Sequence, residues 1–261
     1  MLQSISDEQD DHTVQSQLQA IETLVAARED GKRHLLLAAS GSVATIKIPV
    51  IVSSLARHAG SLSIRIVLTE SATQFLAGQS PEQPTVSSLL HLPNVDAVYR
   101  DSDEWGPQPW TRGASILHIE LRRWADLLVV APLSANTLAK IVNGMSDNLL
   151  TSVIRAWDTD ASIEMKKKTI LVAPAMNSAM WRHPITEKQI RVLTEDWGVK
   201  EEASSTGTTR SIKGWFEVLP PITKTLACGD TGGAMASVET ICQAIEKRLN
   251  LHPAAEATDG Q

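Results

Sequence analysis

The chain is poor in cysteine: Cys228 and Cys242 are the only two in 261 residues. A disulfide framework is not implied, and the usage suits a reducing, cytoplasmic compartment. No His/Cys cluster has zinc-ligand spacing, so no metal is expected. No apolar run approaches the roughly 20 residues of a membrane helix. Positive charge is also short, with 24 Lys and Arg against 30 Asp and Glu and a net charge of -6. That balance argues against a general nucleic-acid-binding surface. Asp7, Glu8, Asp10 and Asp11 argue against a secretory signal and against a transit peptide, which avoids acids. The dinucleotide fingerprint G-x-G-x-x-G is absent.

What is present is an α/β pattern. Hydrophobic residues make up 43% of the chain, and the length suits one α/β domain with a full core. Apolar runs at His34 to Ala39, Ser63 to Thr69, Asp126 to Ala131 and Lys168 to Val172 read as buried strands. An edge strand is expected at Ala97 to Arg100, within a polar, Pro-containing stretch from Gln79 to Trp110. Helical segments follow the strands, two of them between residues 135 and 157 with a break near Gly144, another from Pro184 to Trp197. This alternation predicts a parallel sheet with helices on both faces. Residues 1–32 read as an extension, with Val14, Leu18, Ile21 and Val25 at helical spacing. Residues 201–214 have the composition of a flexible insertion, and 251–261 that of a disordered tail. The domain proper is 33–250. Its last helix, about 236–249, carries an apolar stripe at Val238, Ile241, Cys242, Ile245 and Leu249.

Several short segments could carry chemistry. S-G-S-V-A, residues 40–44, lies between the first strand and its helix, where Gly41 lets backbone approach a ligand and free N–H groups suit phosphate. P-L-S-A-N-T, residues 132–137, repeats that arrangement after the third strand, although simple capping by Ser134 reads equally well. T-E-S, residues 69–71, closes the second strand in the same way. The loop Ala173 to Trp181, A-P-A-M-N-S-A-M-W, is apolar with one amide, Asn177, as a lined pocket with one aimed polar group would be. His118 lies in L-H-I-E-L-R-R-W; alone it reads more readily as structural than catalytic. Arg122 and Arg123 could orient a carboxylate or form a solvated face. Cys242 reads as a buried, inert thiol. Cys228, in L-A-C-G-D-T-G-G-A-M, stands on a Gly-hinged loop where a thiol could act as proton donor.

Taken in order, G-S-V-A, T-E-S, L-H-I-E-L-R-R-W-A-D, A-P-L-S-A-N-T, D-N-L-L-T, P-A-M-N-S-A-M-W and L-A-C-G-D resemble the homo-oligomeric flavin-containing cysteine decarboxylases over roughly residues 33–250. The resemblance implies a three-layer, Rossmann-like (flavodoxin-like) sheet, non-covalent FMN and a homotrimer. It implies FMN contacts at Gly41, Ser42, Val43, Thr69, Ser71, Phe75, Ser134, Ala135, Asn136, Thr137 and Ala175. It implies decarboxylation of (R)-4′-phosphopantothenoylcysteine to 4′-phosphopantetheine, in coenzyme A synthesis. His118 would be the base, Asn177 would bind the substrate carboxylate, and Cys228 would be the acid on a clamping loop. Arg123, Met180 and Ala227 would help hold substrate, with His118 of one chain facing Asn177 and Cys228 of the next. D-T-G-G-A-M-A is one residue shorter than the family's usual clamp, and Ser237 stands where an acid is common. A second class is a regulatory, inhibitory subunit of a protein phosphatase, or a partner subunit in a heterotrimeric decarboxylase. Against it, His118, Asn177 and Cys228 all lie in this one chain. A decarboxylase of peptide cysteines fits less well, because C-G-D matches the pantothenate branch.

Overall fold

The computed structural model describes residues 21–105, 110–203, 210–222 and 233–251. In chain order the first elements are β1 (Arg33–Ala39), α1 (Ile48–Ser54), β2 (Leu62–Leu68) and the short α2 (Glu70–Thr73). An antiparallel ribbon follows, β3 (Ala77–Ser80) with β4 (Gln83–Thr85), and then β5 (Val95–Arg100). Next come α3 (Leu117–Trp124), β6 (Leu127–Leu133), α4 (Ala135–Val142), α5 (Leu149–Arg155) and β7 (Thr169–Pro174). The remainder holds α6 (Ser178–Arg182), α7 (Pro184–Arg191), a ribbon of β8 (Lys200–Ala203) and β9 (Arg210–Lys213), β10 (Phe216–Val218) and α8 (Val238–Leu249).

The main sheet has the order β10-β7-β6-β1-β2-β5, and every pairing is parallel. Counting only its six strands, this is 3-2-1-4-5-6, a doubly wound sheet whose direction of growth reverses between β1 and β6. A ligand crevice opens at that reversal, outside the carboxyl ends of the strands. The strands are apolar throughout because both faces are covered; all seven residues of β2 and of β6 are buried. Alternation within each strand divides the core. Leu35, Leu37, Ile64, Ile66 and Val129 pack with α1 and α8 on one face. Leu36, Ala38, Val67, Leu128 and Val130 pack with α3, α4 and α5 on the other. Each such Leu or Ile contributes about 2 kcal/mol by leaving water.

The expected strands and sheet form, with β5 at the edge. Pro49 sits in the first turn of α1, where its missing N–H costs nothing. Three features differ from the sequence expectations. β10 is a sixth strand that was not anticipated, since three residues show no periodicity. The expected flexible insertion at 201–214 contains paired backbone of β8 and β9. At the base of this ribbon Trp197 stacks on Trp215 and Phe216, with centroids 5.6 and 5.9 Å apart. The N-terminal stripe is also rotated from its expected phase. Residues 21–26 are helical, but Leu24 is fully buried while Val25 is 40% exposed. Val14 and Leu18 lie outside the described residues. At the other end Ser237, noted above as an unusual residue for its position, caps α8 by accepting from Thr240 N at 3.0 Å.

Candidate active site

The exits of β1 and β6 are fastened together. Ser40 N donates to Pro132 O at 3.0 Å, and Ser134 N donates to Ser40 Oγ at 2.8 Å. Gly41 then lies against the loop leaving β2. A Cβ there would stand 2.6 Å from Ser71 Oγ and 2.7 Å from Ser71 Cβ. Only glycine permits that approach. Around it, Ser42 Oγ accepts from Ala44 N at 3.5 Å, and the Thr69 and Ser71 hydroxyls are 3.1 Å apart. Ser134 Oγ caps α4, accepting from Thr137 N at 3.3 Å and donating to Thr137 Oγ1 at 3.2 Å. The capping reading of Ser134 is therefore correct as far as it goes. Val43, Ser71 and Asn136 are exposed, Phe75 and Ala135 half-buried, and Ala175 buried behind them, its N–H bonded to Leu133 O at 2.9 Å. A crevice lined by hydroxyls and the start of α4, with no side chain at Gly41, fits a phosphorylated ligand.

The loop after β7 forms the next wall. Asn177 is the N-cap of α6, its Oδ1 accepting from Met180 N at 2.9 Å. With the oxygen occupied, the amide has only N–H groups left to offer, which suit a carboxylate. Met176 is buried and packs the loop down, while Met180 is 44% exposed. Met176 N donates to Gly233 O at 3.2 Å. Gly233 has φ +61°, and a Cβ there would lie 2.5 Å from Met176 O. Ile222 and Ala234 bond each other reciprocally at 2.9 and 3.2 Å. The two ends of segment 223–232 are thus anchored beside the Asn177 loop. Ala227 and Cys228 belong to that segment and lie outside the described residues.

His118 occupies the first turn of α3, and its Nδ1 is 2.5 Å from Glu104 Oε1. Glu104 comes from the turn after β5, and its side chain is only 5% exposed. Sequence reasoning passed over it, because D-S-D-E reads as solvated loop. The turn itself is held firmly. Arg100 N donates to Asp103 Oδ2 at 2.7 Å, and Asp101 accepts from Glu70 N at 2.7 Å and Leu149 N at 3.3 Å. Burial pushes the Asp101 carboxyl up, and those two N–H bonds pull against that rise. The two arginines separate. Arg122 is buried and committed to Glu164 at 3.2 Å and Ala156 O at 3.0 Å, so it does not orient a ligand. Arg123 is about half exposed, and its Nη1 pairs with Glu120 at 3.0 Å. Arg28, from the N-terminal segment, pairs with the same carboxylate. Among the described residues no hydrogen bond links His118 with Asn177 in one chain, and no cluster could hold a metal ion. A cavity of about 320 Å³ opens elsewhere, between Met145, Arg155, Trp197 and Trp215, and holds none of the expected site residues.

Residues 24–250 match the family model described as Flavoprotein. The chain is 41% identical over 226 residues to phosphopantothenoylcysteine decarboxylase of Mus musculus, covering 86% of this chain and 91% of that protein. It is 44% identical over 212 residues to the phosphopantothenoylcysteine decarboxylase of Arabidopsis thaliana, covering 80% and 82%. Among solved structures it resembles a cysteine-to-serine mutant of PPC decarboxylase complexed with pantothenoylaminoethenethiol. That likeness has a TM-score of 0.62 at 40% identity, covering 83% of this chain and 97% of the other. The FMN-binding protein AtHal3 gives 0.61 at 40% identity, covering 86% and 100%.

Proposed function

The chain belongs to the flavoprotein family, and on that premise we infer that it catalyses the FMN-dependent decarboxylation of (R)-4′-phosphopantothenoylcysteine to 4′-phosphopantetheine, a step of coenzyme A synthesis. The crevice at the β1/β6 reversal fits FMN, with Gly41, Ser42, Val43, Thr69, Ser71, Phe75, Ser134, Ala135, Asn136, Thr137 and Ala175 as the residues that would hold it. FMN, when bound, would supply the two-electron oxidation that turns the CH₂–SH carbon into the electron sink a cysteine carboxylate lacks, and the matching reduction after CO₂ has left.

The protein's side chains place the substrate and move its protons. His118 takes the thiol proton as the substrate is oxidised. The Asn177 N–H groups hold the carboxylate that departs, with Arg123, Met180 and Ala227 lending charge and contact. Cys228 donates the proton that accompanies the final reduction. The site is completed between subunits of a cytoplasmic homotrimer, His118 of one chain meeting Asn177 and Cys228 of the next.

The observation that carries this assignment of roles is the Met176–Gly233 bond, which ties the loop of Asn177 to the segment of Cys228. The test is direct. Purified chain should carry a flavin spectrum and release CO₂ from phosphopantothenoylcysteine. A flavin-loaded protein that releases none removes the assignment.

A further inference from the structure

His118 is offered a buried carboxylate from a separate part of the chain. Glu104 Oε1 approaches Nδ1 to 2.5 Å, and the carboxylate's other oxygen, Oε2, is buried with no hydrogen-bond partner among the described residues. A buried, half-satisfied carboxylate is costly, and such groups persist in native structures for a reason. Two other largely buried glutamates pair with Arg or Lys, Glu120 with Arg28 and Arg123, and Glu164 with Arg122 and Lys168. Glu104 has no such cation among its described contacts; its hydrogen bond goes to the imidazole. Its backbone is pinned in advance, by the Arg100–Asp103 bond and by Asp101, which bridges the starts of α2 and α5.

We propose that Glu104 is a positioning residue for His118: its carboxylate holds the proton on Nδ1, orients the ring and leaves Nε2 as the proton acceptor. The reasoning is that of any carboxylate–imidazole pair. A neutral imidazole carries one proton, and the group bonded to one nitrogen decides which nitrogen is free. A carboxylate can only accept, so it selects Nδ1–H. When Nε2 takes the substrate's thiol proton, the ring becomes cationic beside an ionised Glu104. No proton passes to Glu104, and nothing is oxidised at either side chain. The proposal rests on the reading of His118 as the base.

The experiment compares E104Q, E104D and H118N as full chains loaded with FMN. A glutamine keeps the shape of Glu104 but can both donate and accept, so it supports either tautomer. E104Q should retain flavin and substrate KM, while kcat for CO₂ release falls roughly 100-fold or more. E104D should recover part of that loss. In protein labelled with [15N]histidine, the His118 ring should be protonated at Nδ1 in the wild type and at Nε2, or at both in exchange, in E104Q. An unchanged kcat in E104Q, or a wild-type His118 ring protonated at Nε2, overturns the proposal. Loss of flavin from both E104Q and E104D also overturns it, by making the residue structural. Full turnover by H118N defeats the base assignment itself, whatever E104Q does, so the two failures are told apart.

Discussion

At the scale of single residues, the role proposed for Asn177 uses only one end of its amide. Its oxygen caps α6 through Met180 N, and its nitrogen is left for a ligand. Asn177→Asp keeps the cap and replaces the donor with a negative charge. Its melting temperature should therefore match the wild type, while kcat/KM falls about 100-fold through like-charge repulsion with the substrate carboxylate. Asn177→Ala should also lose about 1 kcal/mol of stability from the missing cap. A fully active Asn177→Asp would remove the amide from substrate binding. Cys242 illustrates a thiol of the opposite kind. Burial, reinforced by the charge of Glu246, pushes it up to about 11. In the unfolded chain a thiol ionises near its ordinary value of about 8.5. The native state therefore holds the proton longer, and the stability this contributes is complete below about pH 8.5 and lost as pH rises toward 11. Urea unfolding of wild type and Cys242→Ala across pH 8 to 11 should converge, by up to about 3 kcal/mol, as the wild type loses this contribution. Parallel curves would refute it.

At the scale of elements, the contact between Met176 and Gly233 depends on a glycine whose role only backbone geometry reveals. Gly233→Ala would force a Cβ against Met176 O at φ +61°, so the Met176–Gly233 bond cannot survive intact. The variant should lose about 1–2 kcal/mol of stability. Its KM for substrate should rise while FMN content changes little, because most of the residues that would hold flavin lie at the loops after β1, β2 and β6. Normal KM in a folded Gly233→Ala protein would separate this contact from substrate binding. The same contrast marks what was legible in the chain. Long apolar runs such as Leu127–Leu133 announce buried strands because both faces of a parallel sheet are covered. Phe216–Val218 is too short to show a period. Arg122 and Arg123 look alike as letters, and only packing against Glu164 makes the first structural. Glu104 sat in a polar run because its partner is fourteen positions away in the chain. Motif order located the crevice and the Asn177 loop, but not the contacts that hold those loops in register.

At the scale of the whole molecule, a site divided between chains has a property no single-chain site can have. H118N and C228S are each expected to be inactive alone. Co-expressed and assorted at random, they should regain roughly a quarter of wild-type CO₂ release, since half the sites receive an intact His118 and half of those an intact Cys228. A site contained within each chain would give no recovery, and a mass of one chain in solution would exclude the arrangement outright. The boundary of the folding unit also shifts at this scale. The first strand starts at Arg33, yet Leu24 is sealed into the core beneath α3, and Arg28 neutralises Glu120 on that helix. A chain trimmed to its first strand would leave a hole under the helix that bears His118 and an acid there short of one of its two cations. The segment ahead of the sheet is therefore a splint for α3, and a chain trimmed to Arg33 should unfold more easily than one that keeps Leu24 and Arg28.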